Sequence, residues 1–107
     1  MSIPVAHRSV YADDPLMKPL IAEFVARIPQ QAADLRDAIQ HDDPAPLLRI
    51  CHQLKGSGKS YGFEPISTHA AAANEKLRAH HPLLDALPDL HALLDYIEHI
   101  EDYKPAK

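Results

Sequence analysis

Ile50-Cys51-His52-Gln53-Leu54-Lys55-Gly56-Ser57-Gly58-Lys59-Ser60-Tyr61-Gly62-Phe63 is the stretch whose reading decides the fold. At about 100° per residue, Leu47, Ile50, Cys51, Leu54, Ser57, Gly58 and Tyr61 share one side of a helix. That side is an apolar or small stripe suited to burial. His52, Lys55, Gly56 and Lys59 follow i, i+3, i+4, i+7 spacing on the opposite side, with Leu48 one turn before His52. The histidine is therefore predicted to face water, flanked by two cations and by a residue with no side chain.

Each glycine inside a helix costs roughly 0.5–1 kcal/mol relative to Ala, so two of them need a reason. Gly58 falls on the core side, where it permits a neighbouring helix to come close. Gly56 falls on the water side, where packing within the domain gives it no role. Its predicted effect is clearance beside His52 for something arriving from outside. Periodicity alone leaves a second reading open, in which the glycines mark a loop and His52 is an ordinary surface histidine.

Outward from this stretch, Asp43-Pro44 supplies a cap and a first-turn proline that open the helix, and Gly62 supplies its C-terminal glycine. Upstream, Asp14-Pro15 repeats the cap-plus-proline signal. Leu16, Leu20, Ile21, Phe24, Val25 and Ile28 then recur at helical spacing up to Pro29, which is expected to break or kink the run. A second segment carries Ala32, Leu35 and Ile39 and ends near His41-Asp42. Downstream, Glu64-Pro65 opens a helix with Ile66, His69, Ala70, Ala73 and Leu77 inside, ended by His80-His81-Pro82. Asp85 is the expected cap of the last helix, with Pro88 in its first turn and Leu87, Leu90, Leu93, Leu94, Ile97 and Ile100 on its apolar face.

No run alternates as a β-strand and no internal repeat is present. The expected fold is all-α, an antiparallel up-down four-helix bundle with an additional N-terminal helix. Residues 1–13 form an irregular N-terminal arm, 14–103 the bundle and 104–107 a frayed tail.

The 107 residues make one domain, and a net charge of −4 argues against nonspecific nucleic-acid binding. The single cysteine, Cys51, lies on the buried side of its helix without a disulfide partner, as suits a reducing cytoplasm or an inert small hydrophobe. No apolar run reads as a signal peptide or reaches the ~20 residues that cross a bilayer. The expectation is a cytoplasmic monomer that binds neither membrane nor nucleic acid.

His52-x-Leu54-Lys55-Gly56-Ser57, preceded by an apolar residue and followed by Gly62, resembles the signature of histidine-containing phosphotransfer (HPt) domains. Tyr61-Gly62-Phe63 and the following Pro65 are similar to that family too, and the resemblance extends from about Asp14 to Tyr103. Cys51 stands where the family often has Ala, a small-for-small change. The resemblance implies a phosphorelay protein that carries a phosphoryl group on His52 Nε2 between the aspartates of receiver domains. Lys55 would balance charge on the phosphoryl oxygens, with Lys59 a weaker candidate for that role or for steering an acidic partner. Gly56 would admit the donor aspartate, and Leu48, Arg49 and Gln53 would contact the partner. Response-regulator receivers and a hybrid sensor histidine kinase are the implied partners. The Mg²⁺ of the reaction would belong to the receiver, leaving this chain with no cofactor and no metal.

Other readings compete. Gly58-Lys59-Ser60 resembles the end of a phosphate-binding P-loop, but Gln53 occupies the position of its first glycine and a helix precedes it instead of a strand. No ATP-binding site is therefore expected, and the chain should not phosphorylate itself from ATP. It also lacks the His-Glu-x-x-x-Pro sequence of sensor-kinase dimerisation helices, which favours a monomeric relay. Met1 favours a freestanding relay over a fragment of a longer kinase. His91, Asp95 and His99 share one helix face, but i to i+8 spans about two turns, too far for both imidazoles to bind one metal. His69 reads as a core or boundary residue, and His80 and His81 as helix-ending cations. No Ser, His and Asp cluster is placed for acyl transfer. The remaining alternative is a helical adaptor without chemistry, binding signalling partners through the face around Leu48 and His52.

Overall fold

The computed structural model describes residues 6–80 and 82–106. Residues 1–5 of the expected arm, His81 of the expected helix end and Lys107 of the expected tail lie outside the described residues. Among the described residues there are four helices: α1 Lys18–Gln40, α2 Pro44–Ser60, α3 Glu64–Arg78 and α4 Leu83–Glu98. Links of three, three and four residues join them. Each helix packs on two others, α2 on α3 most extensively, then α3 on α4, with α1 against both α2 and α4. Phe24, Ile28, Leu35, Leu47, Leu54, Phe63, Ile66, Leu90, Leu93 and Ile97 fill the centre and are almost wholly buried.

The boundaries follow local chemistry where the signals are local. The Asp43 carboxylate accepts the Ala45 amide and Pro44 opens α2. At the other end Gly62 has φ +87. Its amide donates to the Lys59 carbonyl at 3.0 Å, and the Phe63 amide donates to the Gly58 carbonyl at 2.9 Å. This pair of reversed bonds terminates a helix through a left-handed residue. Asp42, φ +50, serves α1 in the same way through Asp42–Ile39 and Asp43–Ala38 backbone bonds.

Three expectations need correction. The two helical segments predicted on either side of Pro29 are one continuous α1, so no additional N-terminal helix stands among the described residues. Pro29 removes one backbone bond, an expense of about 3 kcal/mol, but Ile28, Ala32 and Leu35 are fully buried on both sides of it and hold the helix together. The start of α1 lies later than Asp14: Asp14 accepts the Leu16 amide on its side chain and the Met17 and Lys18 amides on its carbonyl, forming a lead-in turn. The last helix starts at Leu83 after Pro82, with Asp85 already in its first turn and Pro88 in its interior.

Leu16 and Leu20, predicted on the apolar run, are exposed, Leu16 to 81%. Leu16 lies before α1 begins and Leu20 in its first turn, at the end of the bundle where α1 starts. The N-terminal arm is tied across the same end. His7 forms a parallel bridge with Ile100 through His7–His99 and Glu101–His7 backbone bonds of 2.8 Å, and its ring stacks on Tyr96 at 4.1 Å. Buried Ser9 donates from Oγ to the Tyr61 carbonyl at 2.6 Å, and the Val10 amide donates to the Gly62 carbonyl at 3.0 Å. Tyr103, before the expected tail, packs on the core.

Cys51 is wholly enclosed, and burial pushes its thiol from an ordinary 9.0 up to about 12. The unfolded chain loses this proton at lower pH than the native one, so the contribution of Cys51 to stability is intact below pH 9 and declines as pH rises from 9 to 12. Urea unfolding across that window should show stability falling by on the order of 1 kcal/mol per pH unit from this group, and Cys51→Ala should remove that share of the slope.

Candidate functional site

Helix α2 divides the predicted residues as its periodicity requires. Leu47, Ile50, Cys51, Leu54 and Gly58 are buried, whereas Arg49, His52, Gln53, Lys55, Gly56 and Lys59 are exposed. Leu48 is half-buried and packs against the edge of the core. The imidazole of His52 therefore stands in water on a continuous helix, one turn before Lys55 and Gly56 and two turns before Lys59. Gln53 reaches sideways to α1, accepting at Oε1 from Gln31 Nε2 at 3.4 Å.

The two glycines behave oppositely. A Cβ on Gly56 would meet nothing within 4 Å, so the space beside His52 is open. A Cβ on Gly58 would lie 2.8 Å from Ile66 Cβ and 2.9 Å from the Ser67 backbone nitrogen. At Gly58, α3 lies within the space a side chain on α2 would need.

Two residues of α3 that the motif reading passed over touch the backbone of the His52 helix. Ser67 Oγ accepts the Lys59 amide at 2.7 Å and donates to the Leu54 carbonyl at 3.4 Å. Asn74 Nδ2 donates to the Leu48 carbonyl at 3.3 Å. Both side chains are buried. Their signal in the sequence is the i, i+3, i+7 series Ser67, Ala70, Asn74, which continues the inner stripe of α3.

Lys55 borders a shallow cleft of about 480 Å³ with Ala71, Asn74, Glu75, Arg78 and Ala79. A larger cavity, about 900 Å³, lies elsewhere, between the arm, α1 and the C-terminal residues, and none of the predicted site residues lines it. His69 is a boundary residue, half-buried on α3. His99 Nδ1 lies 2.7 Å from the Asp95 carbonyl, and no group of three or more His, Cys, Asp or Glu among the described residues is arranged to hold a metal. No described helix is long and apolar enough to cross a membrane.

The site is thus a surface: an exposed nucleophilic ring, neighbouring cations, an open notch, and a helix backbone anchored from behind. Neutral imidazole offers a lone pair near neutral pH, and two lysines at helical spacing suit the charge of a phosphoryl group. A comparison with family models matches residues 19–103 to the Hpt domain. Comparisons with curated proteins and with solved structures give no match.

The glycines give a paired test. In chemical denaturation Gly56→Ala should stabilise the protein by about 0.5–1 kcal/mol, the ordinary helix preference. Gly58→Ala should destabilise it by about 1–3 kcal/mol, the usual range for overpacking. Equal effects of one sign would show that the two positions do not differ as described.

Proposed function

The chain belongs to the Hpt domain family, whose members serve histidine phosphotransfer in two-component systems, and on that premise we propose that His52 is the phosphoryl carrier of a phosphorelay. What supports this most is the exposed ring of His52 beside the open notch at Gly56. The lone pair of Nε2 attacks the phosphorus of an aspartyl phosphate on a receiver domain. A P–N bond forms, the P–O bond to the aspartate breaks, and the carboxylate leaves with the electron pair. The imidazole proton stays on Nδ1, so the ring becomes cationic and offsets part of the phosphoryl charge. Transfer onward reverses these steps at a second receiver's aspartate.

The neighbours have defined roles. Lys55 balances charge on the phosphoryl oxygens; Lys59, a turn farther, acts more weakly or steers the partner. Gly56 leaves room for the incoming aspartate. Leu48 gives the partner an apolar contact, flanked by Arg49 and Gln53. Helix α2 contains Arg49, Lys55 and Lys59 and no Asp or Glu, in a chain of net charge −4. A basic strip on an otherwise acidic protein draws an acidic receiver face toward this helix, a steering effect that salt weakens. Phosphoryl transfer depends mainly on alignment and charge neutralisation, so an accessible ring suffices while the receiver brings Mg²⁺ and the acidic pocket.

The same reading makes the protein a cytoplasmic monomer relaying between receivers and a hybrid sensor histidine kinase. It also makes the bundle antiparallel, since links of three and four residues join helices that reverse direction.

His52→Gln should leave helicity and melting unchanged and abolish the acid-labile label acquired from a receiver charged with acetyl phosphate, read by mass spectrometry of the intact protein. Label that persists would move the carrier elsewhere, and partner binding that survives with no phosphate ever found would favour a plain adaptor. Lys55→Ala should slow transfer about tenfold or shorten the life of the phosphorylated form. Gly56→Leu should block transfer while the protein stays at least as stable.

A further inference from the structure

We propose that Ser67 and Asn74 of α3 are a positioning pair that sets the rotation and axial register of the His52 helix, and with them the aim of the imidazole. The proposal rests on the phosphocarrier reading of His52. Its starting point is a cost: a buried hydroxyl and a buried amide weaken a fold unless each finds a partner. Both are buried, at 8% and 3% exposure, and both find their partners in the backbone of α2.

The atoms engaged bracket the histidine. In an α-helix the His52 amide donates to the carbonyl four residues earlier, that of Leu48. Asn74 donates to that same oxygen, which has a second lone pair to offer. Ser67, two turns before Asn74 on α3, holds the Leu54 carbonyl and the Lys59 amide on the other side. The peptide groups contacted lie four residues before His52 and two and seven after it. Gly58 is what lets the hydroxyl reach, since a Cβ there would strike Ile66 and the Ser67 backbone.

Apolar packing alone would tolerate small rotations of α2, because hydrophobic contacts are not directional and the α3 surface here includes the small Ala70 and Ala73. Hydrogen bonds to fixed backbone atoms tolerate far less. A displacement of 1 Å at reacting groups can cost on the order of a hundredfold in rate. The pair acts through the helix and touches no reacting atom.

The test uses Ser67→Ala and Asn74→Asp in the full chain, so that one variant decides if the other folds poorly. Amide hydrogen exchange at His52 and Lys59 should accelerate at least tenfold, while amides of α1 around Leu35 keep their protection. Labelling of His52 by phosphoramidate, which needs only an exposed ring, should stay within twofold of wild type. Transfer from a receiver charged with acetyl phosphate, which needs the ring aimed, should slow tenfold or more. Wild-type transfer in both folded variants would overturn the proposal. So would a parallel loss of both labelling reactions and of α1 protection, the pattern of simple destabilisation. If the wild-type protein takes phosphate from phosphoramidate but from no receiver, the relay reading fails instead. Local exchange still judges the bracket in that case: a rise supports it and no change overturns it.

Discussion

The approach of α2 to α3 at Gly58 is the constraint on which the rest of this structure depends. With no side chain at that point, Ile66 and the Ser67 backbone come within the space a Cβ would need, and α2 gives one whole side to its neighbours. Leu47, Ile50, Cys51 and Leu54 go in, and on the opposite side His52, Lys55, Gly56 and Lys59 are exposed. The exposure of His52 is the complement of that burial. Turning α2 by one residue would bring an imidazole against apolar side chains at about 1–3 kcal/mol and expose a leucine at a further 1.5–3 kcal/mol or so. The phase of the helix is therefore held by several kcal/mol, before any directional bond is considered.

The end of the bundle near Gly62 is secured separately. The N-terminal arm and the residues after α4 close over that end, beside the first turns of α1. Arg8 pairs with Asp13 at 3.3 Å and with Glu101 at 3.1 Å, but all three side chains are substantially exposed, and exposed pairs contribute little. The directional work falls to Ser9 and Val10 on the Tyr61 and Gly62 carbonyls and to the His7 bridge with Ile100. Gly62 is needed twice there. Its positive φ ends α2, and a Cβ would lie 2.1 Å from Ser9 Oγ. The last turn of the histidine helix and the strap across the bundle thus meet at one residue.

What could be read from the sequence divides along the range of the forces involved. Asp43-Pro44, Gly62 and Glu64-Pro65 mark helix ends through bonds spanning a few residues, and those ends fall at the expected places. The outward phase of His52, Lys55 and Gly56 was legible for the same reason, since 3.6-residue periodicity is local. Pro29 was not, because its local penalty is outweighed by burial of Ile28 and Leu35 against helices distant in sequence. Leu16 and Leu20 read as core since they keep the period, but Leu16 falls before α1 begins and Leu20 in its first turn, and both are exposed. Asp85 looks like a cap, but the fixed φ of Pro82 begins α4 earlier. Ser67 and Asn74 are the instructive omission. Their spacing puts them on the inner stripe, but their partners are backbone atoms 8 to 26 positions away, which no local pattern names.

The placement of cavities bears on how such a site should work. An enzyme that completes its chemistry alone encloses its substrate, and enclosure strengthens every charge interaction by excluding water. Here a hollow of about 900 Å³ is walled by the arm, α1 and the C-terminal residues, away from His52, and the cleft beside Lys55 is shallow. On the proposed reading the missing enclosure comes from the partner, whose pocket closes over the ring when the two surfaces meet. A carrier that must serve more than one receiver gains from this division, because the ring stays equally open to donor and acceptor. On that same reading the burden left to the chain is to hold one side chain at one angle, and the proposed positioning pair places directional polar contacts inside the α2–α3 interface for that purpose.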